Sequence, residues 1–468
     1  MIFSWDWEES EQYIKGSTFY YDFGTSIVNI NRQYFDYLQI GILFSIWKDC
    51  KNVNLTSTYP ISIEIITHWM KYWDFDGLNY NSPKQSIFTK IKNRLLTSNN
   101  NSSSKIRPQN IGLLFGGGKD SMMGAGVLDE IISEPKELIL LSFLHPNSSG
   151  ADFAEKLRQR RQKLVLEPVK NLLKTKVKII ETDLLGRAMS QKVRYSPHIA
   201  IYSAAMPIIA ELFSISEVYF NYEMPHYWVY ENESNIPTPY FRRSRPEYLE
   251  YTSKHISKLL NHQFYIGNMS YSTNIHLHFK ILVERYPQLW DITLTCERKL
   301  SLQDRYCHNC HKCFFTMLFG LLSKSTPKSL DPDKILSGEF GKKLIDYLIE
   351  NKTTDEGNTI YPSHILGMFH RMDFYHWMYK LNTNGHHISQ ESSSNLNLLK
   401  DSFGNEKSNQ VTKYYKQPHK YLPKWFREEF IQILSEYSEV SDNPHSFYFN
   451  NKLVKFDFYY DSLGENKI

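Results

Sequence analysis

The sequence predicts an α/β protein with a parallel sheet, and three observations lead to that expectation. Short apolar runs at residues 111–115, 138–143, 177–181 and 218–222 alternate with helical patterns at 122–132, 153–173 and 199–213. The first apolar run stops at three glycines, which lead straight into the first helical pattern. Four of the five cysteines lie in one short segment beyond the alternation. Strands separated by helices of this length pair in parallel, with helices on both faces. Ligands then bind at the carboxyl ends of the strands.

The first strand runs into Phe115, Gly116, Gly117, Gly118, Lys119, Asp120 and Ser121. Glycines let backbone N–H groups approach an anion, and the first helical turn adds unpaired N–H groups with a partial positive charge. Lys119 offers a point charge and Ser121 a hydroxyl, while Asp120 can cap the helix or hold a metal ion. The spacing fits neither the Walker loop nor the G-x-G-x-x-G dinucleotide loop. A glycine turn that binds nothing is the other reading. At the ends of the later strands stand His145, Asp183 and Glu223, each expected near one rim of the sheet. His145 reads equally as a loop residue, and Asp183 as a helix cap.

Cys296, Cys307, Cys310 and Cys313 form the pattern C-x10-C-x2-C-x2-C. Four thiolates in so short a segment suit tetrahedral Zn²⁺, and a closed sulfur shell leaves no open position for catalysis. The site is therefore expected to be structural, pinning residues 297–306 and starting a helix at 314–322. An iron–sulfur cluster is the alternative, because C-x2-C-x2-C also occurs in ferredoxin-type runs. His308 and His311 are interleaved and could replace a sulfur. Cys50 stands alone and reads as a buried small apolar residue.

Residues 116–121 resemble Ser-Gly-Gly-x-Asp-Ser, the pyrophosphate loop (PP-loop) of ATP pyrophosphatases, with Gly116 where that pattern has its first Ser. Loop and cysteines together resemble the 7-cyano-7-deazaguanine synthases. Further likenesses are Arg194 ahead of the helix at 199–213, the run Arg245-Pro246-Glu247-Tyr248, and the stretch from Leu277 into Cys296. They cover roughly residues 108–323, less than half the chain. The resemblance implies a HUP-like PP-loop core that binds ATP with Mg²⁺ and adenylates the carboxylate of 7-carboxy-7-deazaguanine. Lys119, Asp120, Ser121 and Arg194 would be the catalytic groups. The family's Asp-x-Ser-Gly-Tyr-Pro-Asp-Cys run is missing, and residues 224–243 stand in its place. This insert is aromatic, and Glu223, Tyr227, Trp228 and Arg245 are the candidates for holding a flat base. An aromatic surface loop packed on a neighbouring domain is the other reading of it.

The remainder of the chain bounds this reading. Its 468 residues allow two or three domains: an N-terminal accessory domain at 1–96, a Ser/Asn-rich linker at 97–105, the core at 106–325 and a C-terminal, mainly helical region at 326–468. In the flanks, 34–47 is amphipathic and 61–73 apolar; 335–350, 364–381 and 425–437 read as helices, 390–397 as a Ser/Asn-rich loop, and 447–459 as a hairpin. A net charge of +4 with no basic block does not indicate non-specific nucleic-acid binding. There is no apolar run of about 18 residues and no basic leader ahead of one, so the cytoplasm is expected. The added length resembles that of some enlarged members of this family in bacterial antiphage defence operons, and this resemblance implies a protein amine as the acceptor of the activated deazaguanine. The alternatives are ammonia, giving the nitrile; another adenylating enzyme, such as a tRNA-modifying one; or a non-catalytic nucleotide-binding subunit.

Overall fold

The structure, a computed structural model, describes residues 2–5, 17–47, 53–57, 60–73, 75, 78–81, 109–144, 156, 158–173, 175–182, 198–221, 228–230, 246–270, 273–296, 302–350, 374, 376–381, 387–403, 413–415, 421–441, 446–449 and 452–456. The N-terminal elements are β1 (Ile2–Trp5), β2 (Ser17–Asp22), α1 (Arg32–Trp47), β3 (Val53–Thr56), α2 (Ile63–Trp73) and β4 (Leu78–Asn81). The core follows with β5 (Asn110–Leu114), α3 (Lys119–Ile131), β6 (Leu138–Leu144), α4 (Glu167–Leu173), β7 (Lys176–Thr182), α5 (His198–Phe213), β8 (Ile215–Phe220), β9 (Trp228–Tyr230), α6 (Pro246–Leu260), β10 (Tyr265–Asn268), α7 (Ile275–Arg285) and α8 (Pro287–Ile292). Beyond it lie α9 (His311–Leu322), α10 (Pro332–Leu336), α11 (Glu339–Glu350), α12 (Gln390–Phe403), β11 (Lys413–Tyr415), α13 (Lys424–Tyr437), β12 (Glu439–Ser441), β13 (Ser446–Phe449) and β14 (Lys452–Phe456).

The main sheet has seven strands in the order β1-β2-β7-β6-β5-β8-β10. From β7 to β10 every pairing is parallel, as the alternating pattern predicts. β6 is buried along its whole length, which its unbroken apolar sequence requires of a strand covered on both faces. The chain winds outward from β5 through β6 to β7, then crosses back to β8 on the other side of β5. This reversal is a topological switch point, and in open sheets of this kind ligands bind at the carboxyl ends of the two strands concerned, here β5 and β8. Right-handed crossovers place the helices of the two halves on opposite faces. Accordingly α3 packs with α4, α7 and α8, whereas α5 packs with α6 and α1.

Three strands of this sheet are absent from the predicted pattern. β10 is only four residues long and contains Gly267, too little for a periodic signal. β2 is antiparallel to β7, and β1 is antiparallel to β2. Part of residues 1–96 thus builds the edge of the sheet. α1 lies close on α5: a side chain at Gly41 would run into Trp69 of α2 and, at 2.9 Å, Ala204 of α5. An aromatic seam joins α1, α2 and α6. The Tyr37 hydroxyl is 3.0 Å from His68 Nε2, and the His68 ring stacks on His255 at 4.1 Å and on Tyr251 at 4.8 Å.

Burial, followed by the neighbouring His255, holds the His68 imidazole well below the usual histidine range. Burial, followed by Lys258, brings His255 down to about 4. His276, buried beside His376, is brought down to about 3. These rings are neutral when folded and ordinary when unfolded, so the unfolded chain takes up more protons below about pH 6.5. Stability is therefore expected to hold above that pH and to fall as the pH drops toward 4. The loss should reach about 2 kcal/mol per ring by pH 5. Chemical denaturation at pH 7.5, 6 and 5 measures it. His255→Phe should flatten part of the slope; an unchanged slope would show that this seam does not titrate.

The C-terminal region corrects two expectations. Residues 390–397, expected as a loop, open α12, which runs on to Phe403. Ser392, Leu396, Leu399 and Phe403 form its buried stripe, and the Ser389 hydroxyl accepts the Ser392 N–H at 3.2 Å. The serines that suggest a loop are there partly as a cap, and the apolar stripe extends past the polar window. Residues 335–350, expected as one helix, divide into α10 and α11 at Ser337-Gly338, because Asp331 and Pro332 start a separate short helix. Of the helix expected at 364–381, residues 374 and 376–381 lie among the described residues, and 374 and 376–380 are helical. The expected hairpin is present as β13 and β14, and β14 also pairs with β9. α13 is tied to the core where Arg285 donates to Glu130 at 2.8 Å and to Glu436 at 2.6 Å. No helix among the described residues is long and apolar enough to cross a membrane.

Candidate functional site

The glycine loop joins β5 to α3 at the switch point, the place where open α/β sheets bind ligands. The Phe115 N–H donates to Leu141 O at 2.9 Å and continues the β5–β6 ladder into the loop. Gly117 has φ +80°, and a Cβ there would lie 2.6 Å from Val165 Cγ1. Only glycine meets both demands. By contrast, a Cβ at Gly116 or Gly118 would touch nothing within 4 Å. The loop is thus packed at its middle residue and open at the two beside it. Gly118 is the N-cap of α3 and has no side chain with which to cap the amides of the first turn.

The three residues after the glycines take distinct roles. Ser121 is buried; its hydroxyl accepts the Gly117 N–H at 2.9 Å and donates to Gly118 O at 3.2 Å. In this structure the hydroxyl expected to reach a ligand braces the loop. Asp120 makes no cap. Its Oδ1 accepts from Lys119 Nζ at 2.6 Å and from His278 Nδ1 at 2.6 Å. His278 Nε2 lies 2.6 Å from Thr273 Oγ1. The backbone oxygen of Asp120 accepts from Asn221 Nδ2, just past β8. Lys119 Nζ also sits 5.9 Å from the centre of the Phe279 ring.

His278, Thr273 and Asn221 were not apparent from the sequence. His278 lies in an apolar helix and Asn221 in the end of a run read as strand, so no local pattern marks either residue. Arg194, Glu223, Tyr227 and Arg245 lie outside the described residues, as do His145, Asp183 and Cys50. Of the expected base-binding residues, Trp228 alone is reached: its backbone forms β9 opposite Phe456 of β14.

The four cysteines converge. The sulfurs of Cys296, Cys307, Cys310 and Cys313 all lie within 4.8 Å of one another, three of the residues being buried. Cys307 to Cys313 is 3.8 Å and Cys310 to Cys313 is 3.5 Å. A single ion bonded to sulfur at about 2.3 Å in tetrahedral geometry sets sulfurs about 3.8 Å apart. A cluster of several irons spreads its cysteines further, so the spacing fits one ion. Contact with the Cys296 sulfur leads the effects that push the Cys310 thiol up to about 12, and Cys313 is pushed higher still. Four sulfurs this close ionise together only when a cation shares their charge.

The backbone around the cluster is prepared for that charge. Asn309 N–H donates to Cys307 Sγ at 3.3 Å and Cys313 N–H to Cys310 Sγ at 3.5 Å. Cys310 is the N-cap of α9, which starts at His311, slightly ahead of the predicted helix. His308 Nε2 accepts the Asp331 N–H at 3.1 Å, so its ring serves the start of α10 and not the cluster. Arg160, buried between β6 and β7, donates to the carbonyls of Cys296, Asp304 and Arg305. It closes the long loop between the first and second cysteines and sets a positive charge behind them.

The two sites touch. The Leu294 N–H, two residues before Cys296, donates to Gly117 O at 2.8 Å. A metal held by the cysteines would therefore brace Gly117 from behind. The chain matches no protein-family model and no curated protein.

Proposed function

We propose that this chain is a PP-loop enzyme of the kind related to the 7-cyano-7-deazaguanine synthases, which adenylates a 7-carboxy-7-deazaguanine-type carboxylate and passes it to an amine. The observation that carries the reading is the open glycine loop at the switch point, with Lys119 and Asp120 at its mouth and a four-cysteine site behind it. Zn²⁺ at the cysteines would be structural, since four sulfurs leave no position for substrate.

In the first step a substrate carboxylate oxygen attacks the α phosphorus of ATP, and the bond from that phosphorus to the bridging oxygen breaks, releasing pyrophosphate. The loop amides and the first turn of α3 hold the phosphates, while Lys119 and Arg194 balance charge on the leaving group. Asp120 would supply the hard oxygen ligand that Mg²⁺ prefers, and the ion would offset phosphate charge. An amine nitrogen then attacks the acyl carbon and AMP leaves. A partner protein's amine is the acceptor we favour, because the added N- and C-terminal segments provide surface that a small nucleophile does not need. Gly116, which lacks the hydroxyl of the usual loop, favours one other reading, a subunit that binds nucleotide without turning it over.

AMP release from Mg-ATP by the purified chain, with and without 7-carboxy-7-deazaguanine, decides among these. Base-dependent AMP is the expected result, and Asp120→Ala should remove it while bound metal stays at the wild-type level. Equal turnover by Asp120→Ala would refute this ATP site. No AMP in any condition, with nucleotide still bound, would leave the binding-subunit reading.

A further inference from the structure

We propose that His278 is the positioning residue of the glycine loop, fixing Asp120 so that its second carboxylate oxygen faces the divalent cation carried by a bound nucleotide. The inference rests on the nucleotide reading above and deepens it.

Asp120 Oδ1 accepts two donors of unlike character. Lys119 reaches it from the neighbouring position on a flexible stem, with its side chain partly in solvent. His278 reaches it from α7 and is fully buried. Its ring is held at both ends, by Asp120 at Nδ1 and by Thr273 at Nε2, each at 2.6 Å. A carboxylate only accepts, so Nδ1 carries the proton that faces Asp120, while Nε2 faces the Thr273 hydroxyl, which also lies 3.4 Å from Ser270 O. Thr273 is itself fixed: it immediately precedes Asn274, whose Oδ1 caps α7 by accepting the Leu277 N–H at 3.0 Å.

Phosphate in the loop competes for Lys119, the natural counter-charge for a leaving group. Once Lys119 turns to the phosphate, His278 is the remaining side-chain donor to Oδ1 among the described residues. Asp120 Oδ2 has no hydrogen-bond partner among those residues, and the carboxylate is 28% exposed. That oxygen is thus available to a cation, and the buried ring keeps it aimed. Without the ring, the carboxylate of Asp120 is free to turn, and the cation loses a preorganised ligand.

The test is binding of α,β-methylene-ATP, which the chain cannot cleave between the α and β phosphates, titrated by calorimetry into the full-length protein with Mg²⁺ or with EDTA. Wild type is expected to bind more tightly with Mg²⁺. His278→Leu should weaken Mg²⁺-dependent binding about tenfold or more, with little change in EDTA, because a charge-assisted hydrogen bond is removed. His278→Asn can still donate to Asp120 and should recover most of the loss. Thr273→Val leaves the ring but frees one end, and should weaken Mg²⁺-dependent binding by a smaller factor. Metal content at the cysteines reports whether each variant is folded. Equal Mg²⁺ dependence in His278→Leu and wild type would overturn this inference alone. A loss of the same size with and without Mg²⁺, shared by His278→Asn, would also overturn it, by showing a purely structural role. No binding by wild type would overturn the nucleotide reading and this inference with it.

Discussion

Changing Cys313 to serine is expected to release the bound metal, to lower stability by several kcal/mol and to loosen the glycine loop as well. A structural Zn²⁺ contributes about 10–16 kcal/mol in finger peptides, while a whole domain is stable by only about 5–15 kcal/mol. Cys313 is fully buried, begins α9 together with Cys310, and lies at the centre of the sulfur cluster. Its loss leaves buried Arg160 facing a loop whose far end is no longer fixed. The effect should travel through Leu294, which is bonded to Gly117 and lies two residues from Cys296. Metal analysis, thermal unfolding with and without chelator, and nucleotide binding on the same samples measure the three parts. Wild-type melting in a metal-free Cys313→Ser chain would show that the cluster holds nothing structural. Retained nucleotide binding would show that the Leu294 contact carries no coupling.

The second large effect is expected from Gly117→Ala. At φ +80° an L side chain costs roughly 1–2 kcal/mol. The new Cβ would also meet Val165 Cγ1 at 2.6 Å, an overpacking that costs about 1–3 kcal/mol. Val165 is itself fully buried and cannot retreat cheaply. The loop is then expected to leave the conformation that Ser121 and Leu294 hold, and nucleotide binding should fall roughly a hundredfold, the equivalent of about 3 kcal/mol. Gly116→Ser is the internal control, because its Cβ enters open space and its backbone is not left-handed. It should leave stability unchanged and introduce the hydroxyl of the PP-loop pattern that residues 116–121 resemble. Denaturant unfolding with nucleotide titration checks both. Wild-type behaviour of Gly117→Ala would mean that the loop does not need this shape.

Much of the core was legible because it is written in local patterns. Residues 111–115, 138–143 and 177–181 are apolar runs of strand length, and β5, β6 and β7 fall on them within a residue or so. The helix at 199–213 is equally periodic and appears as α5. The cysteine spacing, a matter of four residues in one segment, was enough to anticipate that the sulfurs converge. Other features had no such signature. β2 belongs to the sheet because it pairs with β7 far along the chain. α12 hides behind serines and asparagines whose capping role shows only when Phe403 is seen on its buried stripe.

By itself, then, the sequence determined the alternating α/β order, the glycine turn at the head of α3 and the gathering of four thiols, since each depends on neighbours in the chain. Tertiary structure alone decided which groups face one another. It brought His278, 158 positions from Asp120 in sequence, into contact with its carboxylate. It turned the Ser121 hydroxyl inward to brace the loop, and it set the backbone ahead of Cys296 against Gly117. These contacts follow from how the sheet winds back on itself at β5 and β8, and a winding is a property of the whole chain that no short stretch of residues encodes.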